Sequence, residues 1–109
     1  MILTSANSDP VAEVTDSDIQ AAFDDDPGRG EFIILSQSEM VYMQAGGEYE
    51  GPYTLEYQQG NLDEHYQCTE DLNKTQVQTA FIKYLNNDTT WQTDYPLEIL
   101  KQKPWWKLW

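Results

Sequence analysis

Four runs in the middle of the chain decide the fold: EFIILS at residues 31–36, MVYMQA at 40–45, YTLEYQ at 53–58 and EHYQCTE at 64–70. Each has the length of a strand and is bounded by turn-forming residues. Residues 53–58 alternate cleanly, with Tyr53, Leu55 and Tyr57 on one face and Thr54, Glu56 and Gln58 on the other, because successive strand side chains point to opposite sides. The same period sets Tyr66 and Cys68 against His65, Gln67 and Thr69. Residues 31–36 are almost wholly apolar, which predicts an inner strand or one covered on both faces. The connections, Ser36-Gln37-Ser38-Glu39, the loop from Gly46 to Pro52 and the turn at Gly60-Asn61, are too short for crossovers. The four strands therefore read as an antiparallel meander.

A helical pattern flanks the meander on each side. Thr15 caps a helix over about 16–24, with Asp18 at its third position, a Val14/Ile19 staple and an apolar stripe of Ile19, Ala22 and Phe23. Asp24-Asp25-Asp26 and Pro27-Gly28-Arg29-Gly30 end it. A second helix runs over about 74–86, where Asn73 and Gln76 form a capping box and Leu72 and Val77 a staple. Its stripe is Val77, Ala80, Phe81, Tyr84 and Leu85. Residues 91–100 add a short strand or pack as a loop, and Pro96 argues against a central strand there.

A sheet patterned on one face needs cover, and the two helices are the elements that supply it. The expected architecture is an α+β two-layer sandwich of order α-β-β-β-β-α, both helices lying on one face of a four-stranded meander. Residues 1–15 form a flexible N-terminal segment, 16–100 a single domain and 101–109 a Lys/Trp-rich aromatic tail. The other sheet face is partly open and carries Glu56, Gln58, His65, Gln67 and Thr69.

The chain has 109 residues, 19 acidic and 6 basic, for a net charge of −13. With 39% hydrophobic and 13% aromatic residues it is too apolar for a disordered acidic tail. The charge is uneven: residues 1–73 hold 16 of the acidic residues and Arg29 as their one base, while all five lysines follow, so the two parts carry about −15 and +2. Such a surface repels nucleic-acid phosphates and anionic headgroups, which points away from both and towards a basic protein partner. One cysteine and one histidine allow neither an internal disulfide nor a Cys/His zinc site, and no cofactor is expected. The first residues lack a basic segment followed by a long apolar one, and a cytoplasmic location is expected.

His65 and Cys68, three apart in one strand, point to opposite faces, which argues against a nucleophile–base pair and for a buried inert thiol. A calcium loop starting at Asp24 would need a glutamate at position twelve, where Leu35 stands. Asn73-Lys74-Thr75 and Asn87-Asp88-Thr89 are read as cap and turn residues. Glu48, Glu50 and Glu56 form a carboxylate cluster with Tyr49 and Tyr53 interleaved, a mixture suited to lysine- or arginine-rich partners through ion pairs and cation–π contacts. The candidate partner-binding residues are Glu48, Tyr49, Glu50, Glu56 and His65, with no catalytic, cofactor or metal residue assigned. The tail, KQKPWWKLW at 101–109, is expected to dock on its own domain or on a second copy, the latter making a homodimer, rather than on a membrane.

The stretches Phe32-Ile33-Ile34-Leu35, Tyr42-Met43-Gln44-Ala45, Leu55-Glu56-Tyr57, His65-Tyr66 and Ala80-Phe81-Ile82-Lys83-Tyr84-Leu85, followed by Trp91, resemble those of small bacterial single-domain α+β proteins of unassigned function. The resemblance covers about residues 16–99, and the tail from Lys101 departs from it. In scale and layout the chain is similar to immunity proteins of bacterial polymorphic toxin systems, which are small, acidic, cytoplasmic inhibitors of toxin domains. That resemblance implies a non-enzymatic protein-binding domain, an inhibitor of a basic toxin such as a nuclease. The alternative is a structural or self-assembling accessory domain that oligomerises through its tail.

Overall fold

The four central runs fold as the middle of a larger sheet. The computed structural model describes residues 1–6, 8–24, 32–47, 50–60 and 64–99. In chain order the elements are β1 (Ile2–Ser5), β2 (Ser8–Ala12), α1 (Asp16–Asp24), β3 (Phe32–Ser38), β4 (Val41–Gly47), β5 (Tyr53–Gln59), β6 (His65–Cys68), α2 (Lys74–Leu85), α3 (Trp91–Asp94) and β7 (Leu97–Ile99). Seven strands pair antiparallel in the order β2-β1-β3-β4-β5-β6-β7. The expected α+β class holds, and the four-stranded meander is its β3–β6 centre. The meander is not the whole sheet.

The correction is largest at the N-terminus, where residues expected as a flexible segment supply a hairpin. β3 has a second hydrogen-bonding edge, and β1 takes it with Ile2 opposite Ser36, Leu3 opposite Leu35 and Ser5 opposite Ile33. Asp9 and Pro10 disguise β2 as a non-strand, but β2 is the sheet's edge, the position where a proline costs no ladder bond. The same reasoning places β7, which follows Pro96, at the opposite edge. β3 is an inner strand as expected, and its burial alternates along the strand. Ile33 and Leu35 are fully buried, while Phe32 stays 38% exposed.

The helices form as their caps dictate. At α1 the Thr15 amide donates to Asp18 Oδ2 (2.9 Å) and the Asp18 amide to Thr15 Oγ1 (3.3 Å). At α2 the Asn73 amide donates to Gln76 Oε1 (2.9 Å) and the Gln76 amide to Asn73 Oδ1 (2.8 Å). The two helices run antiparallel, because the Asn86 side chain at the end of α2 donates to Asp16 at the start of α1 (2.9 Å), and Gln78 donates to Asp24 at the other end (3.3 Å). Asp25 and Asp26 lie outside the described residues.

One core lies between sheet and helices. Ile33, Leu35, Met43, Ala45 and Leu55 meet Ile19, Phe23, Val77, Ala80 and Phe81 there. Two aromatic groups anchor it. Phe23 stands edge-on to Tyr53 (5.7 Å) and Phe81 (5.2 Å), and Trp91 stands edge-on to Tyr57 (4.6 Å) and Tyr84 (5.9 Å). Among the described residues, no helix is long and apolar enough to cross a membrane.

The Tyr84 hydroxyl is buried in this core without a hydrogen-bond partner among the described residues. Burial, reinforced by Tyr57, pushes its pKa up to about 12. Its protonated form is thus favoured in the folded state. The stability this group contributes is present below the ordinary tyrosine value near 10 and is lost as pH rises from there through 12. Tyr84→Phe removes an unsatisfied hydroxyl and keeps the ring. Urea unfolding at neutral pH is expected to show no loss, and a gain of about 1 kcal/mol. Between pH 10 and 12 the variant's stability should fall less steeply than that of the native chain.

Candidate functional site

The sheet face turned away from the helices carries a connected polar network. Antiparallel register aligns Tyr42, Gln58 and His65 in one row across β4, β5 and β6. The adjacent row aligns Gln44, Glu56, Gln67 and Glu98 across β4 to β7. Because the side-chain period is two, these rows lie opposite the core positions Met43, Tyr57 and Tyr66.

His65 is the hub. Its Nδ1 lies 3.1 Å from Gln58 Oε1, and its Nε2 lies 3.3 Å from Glu56 Oε1. Gln58 Oε1 also accepts from the Tyr42 hydroxyl (3.3 Å), while Gln58 Nε2 donates to the Met40 carbonyl (3.4 Å). Glu56 Oε2 accepts from Gln44 Nε2 (2.6 Å). Gln58 and His65, only 2% and 9% exposed, are thereby satisfied, as buried polar groups must be. Both ring nitrogens of His65 face side-chain oxygens, so the doubly protonated ring donates to both and the neutral ring to one. Burial and the neighbouring Glu56 raise the pKa of Tyr42, which keeps its hydroxyl a neutral donor.

Such an arrangement holds a carboxylate still. Glu56, 20% exposed at its side chain, has both oxygens hydrogen-bonded and presents a fixed negative charge at the surface. His65 is only 9% exposed, and both its ring nitrogens face side-chain oxygens of the network. Cys68 is buried on the opposite face, as the strand period predicts. Among the described residues, no three His, Cys, Asp or Glu side chains converge as metal ligands.

The structure joins two of the five candidate residues, Glu56 and His65, and separates a third. Glu50 stands on the β4–β5 connection, is exposed, and lies 3.6 Å from Lys74 at the start of α2. Glu48 and Tyr49 lie outside the described residues. Tyr53, expected to interleave the carboxylates, is fully buried against Phe23, because alternation puts it with Leu55 on the core side. Thr69 lies past the end of β6 and donates through its hydroxyl to the Pro96 carbonyl (3.2 Å). Tyr42 and Gln44 are the network members that sequence reading missed. Their signal was the apolar pair Met43 and Ala45, which sets the phase of β4 and turns Tyr42 and Gln44 to the other face. Compared with protein-family models, curated proteins and solved structures, the chain shows no significant match to any of them.

Proposed function

We propose that this chain is a non-enzymatic acidic protein-binding domain whose sheet face turned away from the described helices receives a basic partner, in the manner of an immunity-type inhibitor that covers a nuclease toxin. One observation carries the reading: the Glu56 carboxylate is held by His65 and Gln44 on the sheet face turned away from the described helices, within the part of the chain that carries about −15 of charge. A carboxylate that is already ordered loses little side-chain freedom when a cation docks, and the surrounding negative field accelerates encounter. Competition with nucleic acid for the same basic cleft would then inhibit the partner.

The test is association with a panel of basic nuclease toxin domains, measured by interferometry across a salt series and followed by nuclease assay. A cognate domain is expected to bind with an association rate that falls steeply with salt, and to lose its nuclease activity on binding. Glu56→Gln keeps the shape and the hydrogen bond from Gln44, and should weaken the complex by at least about tenfold. Binding that is indifferent to salt and to Glu56→Gln would sink the proposal.

A further inference from the structure

At the far end of the sheet from Tyr53, a cavity of about 170 Å³ opens between the last residues of β5 and the α2–α3 connection. Its volume is close to the roughly 150 Å³ that accommodates a benzene-sized group. Tyr57, Tyr84 and Trp91 line it, the last two rings meeting edge-on, and Asp88, Gln59 and Gln92 add oxygen acceptors. Among the described residues, no lysine or arginine lines it. Lys83, the basic residue in the last turn of α2, pairs with Asp94 at 2.7 Å and also acts on Asp88, helping to lower its pKa.

Two oxygen-bearing groups of this lining stand out. The Tyr84 hydroxyl, on a residue only 7% exposed, is buried with no hydrogen bond among the described residues. Asp88 Oδ1 accepts from both the amide (3.0 Å) and the hydroxyl (2.8 Å) of Thr90, which lowers its pKa and keeps it ionised. Asp88 is itself exposed. The cavity also sits at the C-terminal end of α2, where the helix dipole is negative. A carboxylate, amide oxygens, an unpaired hydroxyl and aromatic rings together suit a planar, multi-donor cation.

We infer that this cavity is a socket for the guanidinium group of an arginine side chain presented by another protein. The guanidinium carries five N–H donors in a fixed fork that pairs with a carboxylate such as Asp88, and it stacks on aromatic rings, which a lysine ammonium does less well. This inference does not rest on the sheet-face proposal. It concerns a different opening, although Gln58 borders both, and its test needs no partner protein.

The probes are the peptide acetyl-Gly-Arg-Gly-amide and its citrulline and lysine counterparts, titrated into the ¹⁵N-labelled chain. The arginine peptide should shift the Trp91 indole and the Thr89 and Gln92 amides with saturable, roughly millimolar affinity. The citrulline peptide, equal in shape but neutral, should leave them unmoved, and the lysine peptide should bind several-fold more weakly. Asp88→Asn keeps an oxygen for Thr90 and removes the charge, so it should cost at least about tenfold in affinity. No shifts at the cavity, or equal shifts from citrulline, would overturn the socket. A lysine peptide that binds as tightly as the arginine peptide would overturn the choice of guanidinium.

Discussion

Phe81→Ala is expected to cost about 3–5 kcal/mol of folding stability, read as a lower urea midpoint with unchanged slope. Phe81 is fully buried in the middle of α2 and meets Phe23 of α1 edge-on at 5.2 Å, while Phe23 in turn meets Tyr53 of β5. The ring therefore joins both helices to the sheet. Removing it loses apolar burial and one edge-to-face contact worth about 1 kcal/mol, and it leaves a void between rigid elements that cannot close. A domain of this size has a total stability of about 5–15 kcal/mol, so the variant should be markedly unstable at room temperature. Ile82→Ala, one position along the same helix but only partly buried, controls for helix propensity and should cost clearly less. Equal costs at the two positions would mean that the aromatic junction is not what joins the layers.

Gly47→Ala should be the most damaging change among the described glycines. Gly47 ends β4 opposite Tyr53 with φ of +143°, a backbone region that side chains rarely adopt, and a Cβ there would collide with the Pro52 carbonyl oxygen. The strained backbone costs about 1–3 kcal/mol and the overlap a similar amount, so a loss above about 2 kcal/mol is expected. Relief by shifting the loop would disturb Tyr53, whose amide and carbonyl bond Leu72 at 2.8 and 2.9 Å. Gly46→Ala is the matching control. A Cβ at Gly46 meets nothing within 4 Å, and the change should be neutral or stabilise by up to about 1 kcal/mol through the unfolded chain. Thermal unfolding of the pair checks both, and similar melting temperatures would contradict the close approach of Pro52.

Legibility in the sequence followed the strength of local signals. The α2 capping box, the alternation of Tyr53, Leu55 and Tyr57, and the opposition of His65 to Cys68 all appear where the pattern put them. Caps and alternation are set by neighbouring residues in the chain, so they survive without tertiary information. The β1–β2 hairpin did not reveal itself, because Ile2 to Ser5 is short and Pro10 argues locally against a strand. What stabilises it is the free edge of β3, contributed by residues more than twenty positions further on. The same limit applied to the candidate site. Glu56 and His65 could be assigned to one face, but their pairing, and the parts played by Tyr42 and Gln44, depend on the register of three strands.

The sequence by itself determined the α+β class, the helix caps, the phase of the central strands and the concentration of negative charge before residue 74. Each of these depends on residues close together in the chain or on a simple count. Only the tertiary structure decided that the sheet has seven strands, that Glu56 is fixed by His65 and Gln44, and that Tyr84, Trp91 and Asp88 line one cavity. Those results require strands and helices distant in sequence to meet in one register, and hydrogen bonding across a sheet, unlike capping, leaves little trace in any single segment.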